Sequence, residues 1–352
     1  MDKVRIGVLG AGYIADYHLG GIAAAGGADV RVIMGRTLER TASVAKRFGI
    51  PAITQEWREV LERKDIDAVV ILTPDGTHEE VAVAAAEAGK AILLQKPMAR
   101  SSAECRRIIA AAERAGVDLQ VSFMHRYFEE VVYVRDLLGS GSAGPVRSIR
   151  LRNATPGPDW KDWFFSQAGG GSGVVLQLGT HGIDLGRHLF GDIERVSATI
   201  ATQQPERRLA DGRRINVEFE DHAFSTYHFA GGALGSHEMN FVEVQGCDRF
   251  RLEIYCANGT IWLRTERGLL SIYAPEITGR KEWLMPDLPD RPMGARHHAY
   301  WMDGIRGTLP RDKTAEDGLA TLLVAEATYR SAREGRRTEV EKIGDVGSRG
   351  QR

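Results

Sequence analysis

Gln177, His181, Asp184 and His188 fall at intervals of 0, 4, 7 and 11 residues; the glutamine can hydrogen-bond, and the other three can take up or release a proton. On a helix that spacing gathers them on one face, while Leu178, Leu185 and Leu189 share another and seat the helix in a core. Imidazole titrates near neutrality, so His181 is a candidate acid and base for the proton of a substrate hydroxyl. The run Gly169-Gly170-Gly171 just ahead of it lets backbone approach a ligand closely. Plainer roles stand beside this one: a lone helical histidine is often structural, and Asp184 and His188 suit orienting or packing. His181, Asp184 and His188 are also ligand types that suit zinc, but the expectation is that no metal is bound.

A second constellation opens the chain. Gly10-Ala11-Gly12-Tyr13-Ile14-Ala15 sets G-x-G-x-x-A between an apolar run at Lys3–Leu9 and a helical pattern from Tyr13 to Ala25. Gly10 permits a tight turn, Gly12 lets backbone approach a pyrophosphate, and Ala15 allows the helix to pack closely on the sheet. The phosphates would then rest on the free N–H groups of the helix start, around Tyr13 and Ile14. NAD-binding versions usually place an acid at the end of the second strand, to bind the ribose hydroxyls. Here Met34 is followed by Gly35, Arg36, Thr37 and, further on, Arg40. A missing carboxylate with two arginines favours NADP over NAD, although Arg36 stacking on adenine would suit either cofactor.

These residues need elements to hold them. Through residue 124 strands (Val30–Met34, Ala68–Leu72, Ala91–Leu94, Leu119–Ser122) alternate with helices, among them Leu38–Phe48. Such alternation implies a doubly wound parallel sheet. Ser101 and Glu104 form a capping box, and Gly116 stands where that helix should stop. From about Val146 the pattern changes to alternating polarity, clearest in Arg249–Ile254, with hairpin turns at Gly231-Gly232 and Asn258-Gly259. Helices are expected at about 125–138, 175–190 and 314–334. The fold class is an α/β Rossmann domain plus an α+β domain with a large, open, mostly antiparallel sheet. The domains run 1–124 and 125–342, with a flexible tail at 343–352.

Composition narrows the field. The 352 residues carry a net charge of −1, with 26% charged side chains, so the basic excess of a nucleic-acid binder is lacking. No apolar run is long enough to span a membrane. Three cysteines without C-x-x-C spacing suit a reducing compartment. The expected address is the cytoplasm, with no nucleic-acid or membrane partner.

Three further segments are Thr73-Pro74-Asp75-Gly76-Thr77-His78, Gln95-Lys96-Pro97-Met98, and the glycine run leading into Leu176–Asp184. With the glycine turn, in this order, the chain resembles the glucose–fructose oxidoreductase / inositol dehydrogenase (Gfo/Idh/MocA) family over nearly its whole length. That resemblance implies NAD(P)-dependent dehydrogenase or reductase chemistry on the hydroxyl or carbonyl carbon of a sugar, inositol or related polyol. It makes Lys96 the group that binds the reacting hydroxyl and His181 the usual proton carrier. It lines the cofactor cleft with Thr73, Pro74, His78, Gln95, Lys96 and Pro97. His125-Arg126-Tyr127 matches the family's domain-junction segment, which brings Arg126 to the cleft. The sequence departs from the pattern where acids would stand, at Gln95 and Gln177; both keep hydrogen-bonding capacity and lose a negative charge.

For the substrate, Asp159-Trp160-Lys161-Asp162-Trp163-Phe164-Phe165 mixes aromatics that could face sugar C–H groups with carboxylates for hydroxyls, Asp162 and Trp163 above all. A buried aromatic cluster anchoring a loop is the alternative. Gln177, Arg126 and His298 complete the candidate substrate contacts. Two other functions compete: redox-assisted elimination or hydrolysis of a glycoside with a recycled bound cofactor, and a non-catalytic NADP sensor. The resemblance also implies subunit contacts through the open sheet, hence a homodimer or homotetramer.

Overall fold

A computed structural model describes residues 3–167, 171–244, 250–264, 269–309 and 313–344. Gly169, Gly170, Cys247 and all of the expected tail beyond residue 344 lie outside them. The chain forms two compact units, Met1–Tyr127 with Asp290–Leu319, and Phe128–Pro289 with Ala320–Arg352.

In the first unit β1 (Val4–Leu9), α1 (Ala15–Ala25), β2 (Ala28–Met34), α2 (Leu38–Phe48), β3 (Ala52–Thr54), α3 (Trp57–Glu62), β4 (Ala68–Ile71), α4 (His78–Glu87), β5 (Ala91–Gln95), α5 (Ser102–Ala115) and β6 (Leu119–Ser122) alternate. Their six strands are all parallel, in the order β3-β2-β1-β4-β5-β6. Helices cover both faces of such a sheet, so β4 and β5 are buried along their whole length and read as continuous apolar runs. The strand order reverses between β1 and β4, and a crevice for a ligand opens at the carboxyl ends of strands at such a point. The capping of α5 is as expected, with a change of partner. The Ser101 hydroxyl accepts from the Glu104 N–H at 3.3 Å, and the Glu104 carboxylate reaches the N–H of Arg100.

The second unit begins with α6 (Glu129–Gly139) and β7 (Val146–Ala154). A continuous helical segment follows, a π-helical turn over Val175–Gly179 running into α7 (Thr180–Phe190). Next come β8 (Ile193–Ala201), a small hairpin of β9 (Glu206–Arg208) and β10 (Arg214–Asn216), then β11 (His222–Phe229), β12 (Leu234–Asn240), β13 (Phe250–Cys256), β14 (Thr260–Arg264), β15 (Leu270–Tyr273) and the short α8 (Pro275–Thr278). With β16 (Thr338–Glu339) they build an eight-stranded sheet, β15-β14-β13-β7-β12-β11-β8-β16, in which β7–β12 is the parallel pair and the others are antiparallel. One face buries Leu151, Tyr227, Met239, Leu252 and Ile254. The other carries Arg150, Arg152, Phe224, Thr226, Glu238 and Arg251, a charged surface with one exposed aromatic.

Two further helices are α9 (Ala295–Ile305) and α10 (Thr314–Glu334). The sequence pattern predicts no helix at α9 and puts 290–319 in the second domain. In the structure that segment clusters with the first unit: α9 packs on α1, and its Trp301 and Met302 join the core of Val8, Leu19, Ile22 and Ile33.

Candidate active site

The first unit builds a cradle for an anion. Gly10 adopts φ +131°, and a Cβ there would lie 2.7 Å from the Leu72 carbonyl oxygen, so only glycine lets β1 turn this close to β4. Gly12 differs: no atom of the protein lies within 4 Å of where its Cβ would be. The space over Gly12 is open, and α1 starts at Ala15 with no side chain capping it. An uncapped helix start beside open space, at the carboxyl end of β1, fits a dinucleotide's pyrophosphate. Arg40 donates from Nε to the Ala11 carbonyl at 2.9 Å and so tethers α2 to the glycine turn. Tyr13 and Arg36 are exposed beside it. Gly35 is buried against neighbours: a Cβ there would overlap the Thr41 hydroxyl, itself bonded to the Thr37 carbonyl, and would stand 3.0 Å from Ala11. Packing therefore excludes the acid usually found at this position. Neither Thr41 nor the Arg40 tether was legible in the motif.

The lysine stands on the turn after β5. Its N–H donates to the Gln95 side-chain oxygen at 2.7 Å, so Gln95 shapes the turn through its own neighbour. The Lys96–Pro97 peptide is cis. His78 binds this turn to the one after β4: Nδ1 lies 2.9 Å from the Pro97 carbonyl oxygen and Nε2 2.9 Å from that of Thr73. Burial pushes the His78 pKa down, while Asp75 and the backbone carbonyls pull it up. Thr73 and Pro74 are held further by the Thr77 hydroxyl. His78 thus aligns two turns, with both its nitrogens facing backbone carbonyls.

Two other expected contacts are also committed inside the first unit. Arg126 is buried, and its guanidinium pairs with Asp317 at 2.8 Å and lies over the Phe123 ring. His298 is fully buried, with Nε2 2.9 Å from His18 Nδ1 and Nδ1 2.7 Å from the Gly294 carbonyl. It belongs to a packed cluster with Tyr17, His18 and His297 rather than to a ligand surface. The doublet His297-His298 gave no hint that α9 would bury it against α1.

In the second unit the helical segment through α7 carries Gln177 and His181, both buried. The π turn puts Gln177 on a wider turn than the regular helix expected, a geometry that recurs at functional sites. Gln177 Nε2 donates to the Ser172 hydroxyl at 2.9 Å. The His181 ring meets Phe250 edge-on, with centroids 5.4 Å apart. Glycines bring this helix down on the sheet: a Cβ at Gly182 would overlap Asn153 Oδ1, and one at Gly179 would overlap the Met239 sulfur. Asp162 and Trp163 lie on a single helical turn, Asp162–Phe165. Trp163 stacks on Phe164 at 3.8 Å, and Asp162 pairs with Arg213 of the small hairpin at 2.9 Å, which holds its carboxyl below the usual range. Among the described residues no group of three or more His, Cys, Asp or Glu side chains is arranged to hold a metal ion.

A parallel sheet of this strand order, with a glycine cradle after β1 at its switch point and a lysine turn after β5, is the architecture of a dinucleotide-binding protein. Residues 4–123 match the model of an oxidoreductase family with an NAD-binding Rossmann fold, and residues 131–262 match its GFO/IDH/MocA C-terminal domain. The chain belongs to the Gfo/Idh/MocA family. A levoglucosan dehydrogenase of Pseudarthrobacter phenanthrenivorans is 30% identical over 76% of this chain and 75% of that protein. An inositol 2-dehydrogenase of Saccharopolyspora erythraea is 30% identical over 96% of each chain. A solved levoglucosan dehydrogenase in complex with NADH and L-sorbose superposes with a TM-score of 0.89 at 26% identity, over 97% of this chain and 100% of that one.

Proposed function

We propose that this chain oxidises a secondary alcohol of a sugar, anhydrosugar or inositol to a ketone, and reduces it in reverse, with a nicotinamide dinucleotide as hydride carrier. The observation that carries this is the open, uncapped cradle at Gly12 in a member of a family whose relatives are named for such substrates. The nicotinamide, when bound, accepts or returns the hydride. Lys96 holds the substrate oxygen as it gains negative charge, and His181 takes the hydroxyl proton, then returns it in the reverse direction. Gln177, oriented by Ser172, and the Asp162–Trp163 turn bind the remaining hydroxyls and C–H faces.

The cofactor preference in this reading is for NADP(H). Gly35 leaves no carboxylate to repel a 2′-phosphate, and Arg36 and Arg40 flank the position. The NADH bound to the solved relative weighs the other way. The ratio of kcat/KM for the two cofactors decides it, and a clear preference for NAD sinks the NADP assignment. The reading includes a cytoplasmic address and a homodimer or homotetramer assembled through the open sheet face, where Phe224 is exposed among charges; light scattering on the purified chain tests the oligomeric state. No helix among the described residues is long and apolar enough to cross a membrane.

A panel of aldoses, anhydrosugars and inositols, followed by nicotinamide absorbance with both cofactors, tests the activity. Turnover of at least one polyol with stoichiometric cofactor reduction is expected. Cleavage of a glycoside with no net change in the cofactor would replace this function with redox-assisted elimination.

A further inference from the structure

One half-buried carboxylate of the second unit takes no part in that chemistry. Glu220, just ahead of β11, meets the start of the helical segment that carries Gln177 and His181. Its backbone carbonyl accepts from the Val174 N–H at 3.0 Å, and its Oε1 accepts from the Val175 N–H at 3.1 Å. The same oxygen accepts from the Tyr329 hydroxyl of α10 at 2.7 Å. A Cβ on Gly173 would overlap the carboxylate, so the glycine makes room for it. Burial raises the Glu220 pKa against the pull of its hydrogen bonds.

A helix leaves its first N–H groups without partners, and here one residue answers two successive ones, from its main chain and its side chain. The turn that follows is π-helical, with poorer internal bonding than an α turn, so its axial position depends on what grips it from outside. His181 lies six residues beyond Val175 on the same continuous segment, so a slip of the head carries the imidazole with it.

We propose that Glu220 is a positioning residue for His181: with Tyr329 and Gly173 it fixes where the His181-bearing helix begins, and hence where its imidazole stands. The inference rests on His181 being the proton carrier. It predicts that Glu220→Ala in the full chain lowers kcat by about tenfold or more, since small misplacements of reacting groups are costly, while KM for the cofactor stays within about twofold. Glu220→Gln, which keeps an acceptor oxygen for Val175 and Tyr329, should recover kcat to within about threefold of the parent. A role confined to folding would show instead as a lost active fraction in both variants.

The deciding experiment adds His181→Ala and the double variant. If Glu220 acts through His181, its loss costs nothing more in the His181→Ala background. A full additional loss there, parental kcat for Glu220→Ala, or no rescue by glutamine overturns the inference. Parental turnover by His181→Ala would instead overturn the proton-carrier role on which it stands. Should Glu220→Ala not accumulate as folded protein, Tyr329→Phe carries the same test: it removes one donor, and a kcat about threefold lower is expected, with parental kcat counting against the proposal.

Discussion

At the scale of single residues, the two glycines of the cradle have different jobs. Gly10 is held by backbone conformation and by Leu72, so Gly10→Ala should destabilise the fold by about 1–3 kcal/mol. Gly12 faces empty space, so Gly12→Ala should unfold within about 0.5 kcal/mol of the parent yet bind cofactor at least tenfold more weakly. Urea unfolding and fluorescence titration separate them, and equal effects on both quantities would mean that the cradle is misassigned. Lys96→Ala and His181→Ala should each lower kcat by about 100-fold or more with little change in cofactor affinity; near-normal turnover in either removes that residue from the mechanism. The G-x-G-x-x-A turn was legible because its residue types answer local backbone demands, whereas the lysine turn was legible only through the family resemblance. Gly35 was half legible: the missing acid shows in the sequence, but Thr41, whose hydroxyl occupies the space, does so only in three dimensions. The partners of His78 and His298 were not legible, because a histidine's partners are set by long-range packing, which local spacing does not encode.

At the scale of elements, the helix carrying His181 is held from both sides. Glu220 grips its head, and Gly179 and Gly182 let its flank rest on Met239, Asn153 and His237. His237 is itself fixed by the Tyr227 hydroxyl at 2.9 Å and by Asn153. Gly182→Ala should therefore cost about 1–3 kcal/mol of stability, from overpacking against polar side chains that cannot retreat. A urea midpoint equal to the parent's would show that the helix can lift off the sheet at no cost. The strands and helices of the first 124 residues could be read because a parallel sheet writes apolar runs between amphipathic helices. The second sheet's hairpins could be read from Gly231-Gly232 and Asn258-Gly259. By contrast α9 was invisible: its histidines and tyrosine break an apolar stripe, and Tyr17, His18 and Trp301, which make those polar rings packable, come from distant sequence or lie in an irregular pattern.

At the scale of the whole molecule, buried histidines tie stability to pH. Burial drives His298 to about 4 and His237 to about 3, and lowers His18 and His297 well below the ordinary value, first through desolvation and then through the neighbouring rings. Folded, these groups stay neutral; unfolded, they take up protons near pH 6.5. Stability is therefore fully present above about pH 6.5 and is lost as pH falls towards about 4, with His298 and His237 each contributing about 2 kcal/mol of that loss at pH 5. Urea midpoints measured across that range should fall steeply, and a flat profile would mean that the cluster is hydrated or charged in the folded state. The central claim is that hydride passes directly between a carbinol carbon and the nicotinamide. Its most direct measurement uses a polyol substrate deuterated at that carbon, with mass analysis of the reduced cofactor. Direct transfer puts one deuterium on the nicotinamide ring for each ketone formed. Ketone formation with unlabelled reduced cofactor would contradict it.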